Sequence, residues 1–304
     1  MGGSGARESD RARLLGFAKR VVFAVLRYSG AAYVARHTVQ ERRVTIVAYH
    51  DPDPATFERT LAALASRYSF ISLEAFLAAR RAGDLGTLPR RSLVVTIDDG
   101  WMGNVLLLPS LERYGVRPTV FLSTSVVGTN RHFWWAHASG QVERDAMKGV
   151  PEEQRLQELT ASGFAPDTPY PDRQALSIEE LARMGTQVDF QSHSRTHPIL
   201  TNCTDQQAWR EIAGSADELR SLTGAPARAF AYPNGVYSER VIDLVREAGY
   251  ECAVTIEPGY DDATTDPYRL KRLPIGDEAG VTELVARASG VYGVLVTSVR
   301  GLFG

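Results

Sequence analysis

Two adjacent carboxylates, Asp98 and Asp99, follow the apolar run LVVTI, and two histidines, His193 and His197, follow VDFQS with three residues between them. Adjacent carboxylates at the end of a buried strand repel one another and lose hydration, so a cation or an arginine is expected beside them. Gly100 lets the chain turn tightly behind the pair. Histidines at i and i+4 project from one side of a helical turn, close enough to share a metal ion. One aspartate would complete two imidazoles and a carboxylate, with positions left open for water, and such a set is catalytic in type. Two further polar groups end apolar runs: Tyr49-His50-Asp51 after VTIVA, and Asn234-Gly235 after AFAYP. Singly, an Asp pair can cap a helix and a His pair can sit on a solvated turn. Together, on matched strand ends, they read as one site.

Residues so far apart in sequence meet at the C-terminal ends of the strands of a parallel α/β barrel. From Val44 onward the chain alternates accordingly. VTIVAYH, SLVVTIDDG, PTVFLST, VDFQSH, ARAFAYP, YECAVTI and YRLKRLP read as strands. ATFERTLAALASRY, NVLLLPSLERYG, TDQQAWREIAGSADELRSLTG and SERVIDLVREAG read as helices, the last two stopped by glycine. Strands that are almost wholly apolar need cover on both faces, which favours a closed or nearly closed barrel wrapped by helices. Residues 127–176 interrupt the alternation with an insertion rich in Pro, Gly and charge, of a length typical of lids and walls. Within it, Trp134 and Trp135 either stack on a pyranose or anchor the insertion to the barrel, and His132 and His137 read as surface residues.

The chain has 304 residues, and 44% apolar residues suffice for a large core. A net charge of -2 gives no global case for a nucleic-acid partner. Charge is uneven, with nine basic and three acidic side chains in residues 1–43. Cys203 and Cys252 form no short-spaced metal motif and read as packing residues. The segment RARLLGFAKRVVFAVLRYSG has helical periodicity. It gathers Leu14, Ala18, Val21, Val22, Val25 and Leu26 on one face and Arg13, Lys19, Arg20 and Arg27 opposite. Its uninterrupted apolar run, Val21 to Leu26, is too short to span a bilayer or to form an ordinary signal-peptide core. The helix either packs on its own domain or lies on an anionic membrane surface through residues 11–29, and a cytoplasmic location follows as the expectation, peripheral to the inner face of the membrane in the second case. The expected organisation is a leader at 1–40, one catalytic barrel at 41–290 and a tail at 291–304, with the oligomeric state open.

TIDDG resembles the Thr-Phe-Asp-Asp-Gly motif, and HSRTH the His-Ser/Thr-x-x-His motif, of the polysaccharide deacetylases, carbohydrate esterase family 4 with its NodB-type domain. The resemblance covers roughly residues 44–275; YHD and HFWWAHAS are similar to a branch that includes exopolysaccharide and biofilm deacetylases. It implies a distorted α/β barrel of the (β/α)7 type, a divalent ion, zinc before cobalt or nickel, held by Asp99, His193 and His197, and Asp98 as catalytic base. It implies removal of N-acetyl or O-acetyl groups from a glycan or glycan precursor, with a backbone N–H at Tyr232 or its neighbours for the oxyanion; Tyr232 and Asn234 themselves either line the site through the backbone at Gly235 or close a turn. Two departures matter. Where the family's third motif begins with an arginine that orients the base, FAYPNG has Ala231, and where the fifth supplies a histidine acid, LKRLPIG has Arg272, which cannot give up a proton near neutral pH. Strand alternation sends Lys271 and Arg272 to opposite faces. Arg272 is therefore expected to orient Asp98 through its planar fork, and His50 to supply the acid. The competing readings are a hydrolase of small cyclic amides or imides on the same scaffold, an inactive carbohydrate-binding homologue and a membrane-surface scaffold.

Overall fold

A computed structural model describes residues 18, 20–137 and 141–293. Its strands are β1 (Thr45–Tyr49), β2 (Ser69–Phe70), β3 (Ser92–Asp99), β4 (Thr119–Leu122), β5 (Asp189–Ser192), β6 (Ala229–Ala231), β7 (Cys252–Val254) and β8 (Leu273–Pro274). All pair in parallel, in the order β7-β6-β5-β4-β3-β1-β8, with β2 appended to β3. Leu270, three residues before β8, forms a parallel bridge to Val254 of β7, while Leu273 and Pro274 pair with Val47 and Ala48 of β1. One short segment thus links the two edges of the sheet, and the result is the distorted seven-strand α/β barrel the apolar strands call for. Every residue of β1, β3 and β4 is buried, as two covered faces require.

Alternation sorts the strands into inner and outer faces. Ile46, Val94, Phe121, Ala231, Val254 and Leu270 form one cluster, into which Leu73, Phe76 and Leu77 of helix Leu73–Arg81 also pack. Val47, Tyr49, Val95, Ile97, Val120 and Leu122 belong to another, under the surrounding helices. Two residues on from Val94 come Thr96 and then Asp98, and two on from Leu270 comes Arg272. The inner face therefore delivers Asp98 and Arg272 to the same end of the barrel. Helix ends follow local chemistry: Asp53 caps Pro54–Ala65 through Thr56 N, Thr204 and Gln207 form a capping box on Asp205–Thr223, and Gly224, with φ 74°, ends it.

The insertion is not structureless. Helices Gln141–Met147 and Glu152–Ala161 lie within it, and Trp134, Met147, Leu159 and Phe164 give it a small core of its own. Asn202 ties it down by donating to Lys148 O and Val150 O at 2.8 and 2.9 Å.

The leader departs from its expected face. Residues 20–28 are helical and a second helix follows at Ala31–Thr38. The buried residue of the first is Phe23, against the Tyr292 ring at 4.8 Å, while Arg27 donates to Thr282 Oγ1 at 2.8 Å. Val21, Val22 and Val25 point outward because the large ring takes the docking position. Arg13, Leu14 and Lys19 lie outside the described residues, as does nearly all of the tail. Seven of the twelve exposed large apolar side chains among the described residues fall within 21–39, so surface hydrophobicity is concentrated there. Among the described residues no helix is long and apolar enough to cross a membrane. Cys203 and Cys252 are buried and unpaired, as packing residues should be.

Candidate active site and metal centre

Asp98 and Asp99, both 3% exposed, end β3. Asp98 faces into the barrel, where Arg272 grips it through two bonds, Nη1 to Oδ1 at 2.7 Å and Nη2 to Oδ2 at 2.8 Å. The fully buried guanidinium is itself fixed by Nε donating to Thr255 O at 2.7 Å and Nη1 to Thr96 Oγ1 at 3.2 Å. Burial alone would raise the Asp98 carboxyl, but Arg272 and then His193 outweigh it and hold the group below the ordinary carboxylate range. Asp99 is pushed the other way. Burial raises it, His50 and His193 oppose that, and the Asp98 charge adds to it. One acid is thus clamped and ionised, and its neighbour awaits a cation.

Asp99 turns away from the barrel through a left-handed backbone, φ 74°. Gly100 follows at φ 83°, where a Cβ would sit 2.7 Å from Leu122 Cδ2, so the turn requires glycine. Trp101 Nε1 donates to Asp99 Oδ2 at 2.9 Å, leaving Oδ1 buried and without a partner. That oxygen lies 3.7 Å from His193 Nε2 and 3.8 Å from His197 Nε2. These separations are too long for hydrogen bonds. The three ligand atoms lie within 4.8 Å of one another, and the 3.7 and 3.8 Å separations suit donors set about 2.0–2.2 Å from one divalent ion. His193 Nδ1 donates to Ala231 O at 2.8 Å, which turns the lone pair of Nε2 toward the same point. Burial, then His193, push the His197 imidazole well below its usual value, keeping it in the neutral form that binds metals.

The histidines do not sit on a helical turn. Both lie on the loop after β5, with Ser194 at φ 64° and His197 at φ 59°, and Ser194 Oγ accepts from His197 N at 3.0 Å. Left-handed residues on either side of Arg195-Thr196, rather than a helix, bring the two rings together, 4.6 Å between centroids. Of the five non-glycine residues with positive φ among those described, four (Asp99, Ser194, His197 and Asn234) belong to this site. Strain of that kind persists where surrounding structure over-determines it.

Asp98, Asp99, His193 and His197 line a cavity of about 410 Å³ together with His50, Trp134, Trp135, Tyr232 and Asn234. His50 is exposed at the end of β1, its backbone fixed by Asp277 Oδ1 at 3.0 Å and Asn104 Nδ2 at 2.9 Å. Tyr232 lines the cavity, but its own N–H is not free for an oxyanion. Its side chain is buried, with the hydroxyl donating to Tyr268 O, and its N–H is taken by Val254 O at 3.3 Å, because β6 still pairs with β7 there. Asn234, at φ 53°, presents a buried side-chain amide nitrogen without a partner. Trp134 also differs from a sugar-stacking wall: it is 3% exposed, its ring carries Arg155 at 4.2 Å, and Nε1 donates to His197 O at 3.0 Å. Trp135, half-buried and 4.4 Å from the His197 ring, is the aromatic left to face the cavity. His132 is not a surface residue. It is 8% exposed, stacked on Tyr170 at 3.9 Å and hydrogen-bonded to His137 at 3.0 Å, since the insertion folds over it.

Sequence reasoning passed over Trp101, Asp277, Arg144 and Lys148. Trp101 follows the acid pair directly, and that adjacency was a usable signal. Asp277 lies 227 residues from His50, and Arg144 and Lys148 reach the cavity from the insertion, so no local pattern marks them.

Comparison with known proteins agrees with this geometry. A sequence model described as polysaccharide deacetylase matches residues 86–253, more than half of the chain. The Bacillus subtilis (strain 168) protein YxkH, named as a polysaccharide deacetylase, is 24% identical over 186 residues, covering 61% of this chain and 52% of its own, so the chain spans about half the length of that curated relative. Among solved structures, the Streptococcus pyogenes deacetylase PplD in complex with acetate superposes with TM-score 0.59 at 19% identity, over 81% of this chain and 98% of that one. IcaB from Ammonifex degensii does so with TM-score 0.59 at 16% identity, over 81% and 97%. At those identities the likeness is one of fold. With the family match spanning β3 to β7 and both motif loops, the chain belongs to the polysaccharide deacetylase family.

Proposed function

We propose that the chain removes acetyl groups, N-acetyl before O-acetyl, from a carbohydrate, with a divalent ion, zinc in the first instance, held by Asp99, His193 and His197. The observation that carries this reading is the split between two adjacent acids, Asp98 held ionised by Arg272 and Asp99 left with a bare oxygen facing two imidazoles. When bound, the ion polarises the acetyl carbonyl and lowers the pKa of water beside it.

Each remaining task falls to a side chain. Asp98 takes a proton from the attacking water. Its Oδ2 lies 3.9 Å from His193 Nε2, and Arg272 prevents the carboxylate from rotating away. As water adds to the acetyl carbon, negative charge gathers on the carbonyl oxygen. With the Tyr232 N–H occupied, the side-chain amide of Asn234 is the donor for it. The C–N bond then breaks, His50 gives a proton to the departing nitrogen, and acetate and a free amine leave. Trp135 offers the flat apolar face for the sugar ring. The test is an acetate-release screen against N-acetylated and O-acetylated sugars of several lengths, with and without chelator. Release from sugars that chelator abolishes and added zinc restores is the expected result; release that survives complete metal removal, or none from any sugar, defeats the proposal.

A further inference from the structure

We propose that Glu211, Gly214 and Glu218 of helix Asp205–Thr223 form a cradle for Arg195 that fixes the loop carrying His193 and His197. Glu211 is then a positioning residue for the metal centre, and this rests on the metal reading above. A loop with left-handed residues at Ser194 and His197 keeps that shape only where its surroundings impose it. Its backbone groups show what does. His193 N donates to Leu122 O at 2.8 Å, while Ser194 O and Arg195 O accept from Thr124 N and Ser125 N at 3.1 and 2.9 Å. One side of the loop is thus tied to the chain leaving β4. The other side is held by a single carboxylate. Glu211 Oε2 accepts from Arg195 N at 2.9 Å and from Thr196 N at 2.8 Å, and its Oε1 accepts from Thr196 Oγ1 at 2.8 Å.

Two turns further along, the same side of the helix presents Glu218. It accepts from Arg195 Nε at 2.8 Å and Nη2 at 2.7 Å, and from Thr124 Oγ1 and Ser125 Oγ at 2.6 and 2.9 Å. Arg195 therefore lies along the helix, its backbone on one glutamate and its guanidinium on the other. Gly214, between the two, makes room for the stem: a Cβ there would stand 2.8 Å from Arg195 Cδ. Glycine inside a helix weakens it, and the helical backbone at 214 does not call for one. The packed arginine does. Arg195 and Thr196 are the residues between Ser194 and His197, so holding them sets where His197 Nε2 stands relative to Asp99 Oδ1, 3.8 Å away. Groups that orient a ligand in this way contribute about 10- to 100-fold to metal affinity.

The experiment measures zinc affinity of the full chain by competition with a chelating dye, alongside urea unfolding of the metal-free protein. Glu211→Met removes all three acceptor bonds and should weaken zinc binding by about 10- to 100-fold. Glu211→Gln separates hydrogen bonding from charge. Its carbonyl oxygen can take both N–H groups and its amide can donate to Thr196 Oγ1, so it should recover most of the affinity. Gly214→Ala should favour the helix itself yet weaken zinc binding, because the added methyl displaces the Arg195 stem. That variant keeps the claim open to refutation where Glu211→Met does not fold. A merely structural role predicts a less stable metal-free Glu211→Met whose folded fraction binds zinc as before. That result, unchanged zinc affinity in Gly214→Ala, or Glu211→Gln as weak as Glu211→Met would overturn the proposal. Failure of the unmodified protein to bind zinc or any other divalent ion overturns the metal reading, and the cradle's role with it. Zinc bound equally by the unmodified protein and the variants overturns the cradle alone.

Discussion

Replacing Arg272 by methionine removes two charge-assisted bonds from Asp98 and leaves a carboxylate that is 3% exposed with no cation in hydrogen-bond contact. Breaking a buried pair in this way costs about 3–5 kcal/mol. Asp98→Asn strands the opposite charge and should cost a similar amount. The double variant strands neither, so the two losses should fall short of adding by at least about 2 kcal/mol. The pH dependence should also change sign. In the unmodified protein the Asp98 carboxyl lies below its ordinary value of 3.8, so its stabilising contribution is present above that value and is lost as pH falls through the native one. Without Arg272, burial dominates and the carboxyl rises above 3.8; the variant then loses stability as pH climbs past about 4. Urea unfolding of all four proteins at several pH values measures both effects. Additivity within about 0.5 kcal/mol would refute the claim that Arg272 and Asp98 act as one unit.

Burial pushes Asp261 up to about 7 in the native state, although Lys271 N donates to its Oδ1. The native protein therefore binds more protons than the unfolded chain between about pH 4 and 7 and loses stability across that window as pH rises. Asp261→Asn should flatten that slope in thermal melts; an unchanged slope would place the titrating group elsewhere. Gly100→Ala, at φ 83° and 2.7 Å from Leu122 Cδ2, should cost more than about 1 kcal/mol and displace the Asp99 side chain, read as lost stability and weaker metal retention. Deleting residues 1–38 should leave a folded barrel, because the contacts of Gln40 with Thr45 and Ala288 lie beyond the cut. It should also reduce sedimentation with anionic vesicles, since Val21, Val25, Tyr28, Tyr33 and Val34 are exposed. Insolubility of the truncated chain would make the leader part of the core.

The barrel was legible because its strands are short, apolar and β-branched, and because a two-residue period decides which side chains look inward. That period also puts Lys271 and Arg272 on opposite faces, and the planar fork of arginine then singles out Arg272 as the partner of Asp98, across 174 positions. Features that depend on backbone outside the regular regions were not legible. Spacing alone cannot distinguish a helical His-x-x-x-His from one assembled by left-handed Ser194 and His197. The burial of His132 and the clamping of Trp134 depend on how the insertion folds, and its Pro, Gly and charge content masks two helices. In the leader, helical periodicity grouped the valines correctly but could not show that Phe23 would take the docking side. Tyr232 illustrates the same limit, since whether its N–H is free depends on how far β6 continues to pair.

The division of labour between Asp98 and Asp99 is tested most directly by measuring bound metal and acetate release together in Asp98→Asn and Asp99→Ala. Asp98→Asn should keep one equivalent of ion and lose turnover by about 10² to 10⁴-fold, the usual contribution of a positioned base. Asp99→Ala should lose both ion and activity, because two imidazoles hold a divalent ion poorly. Equal metal loss in the two variants, or a full complement of ion in Asp99→Ala, would contradict the assignment.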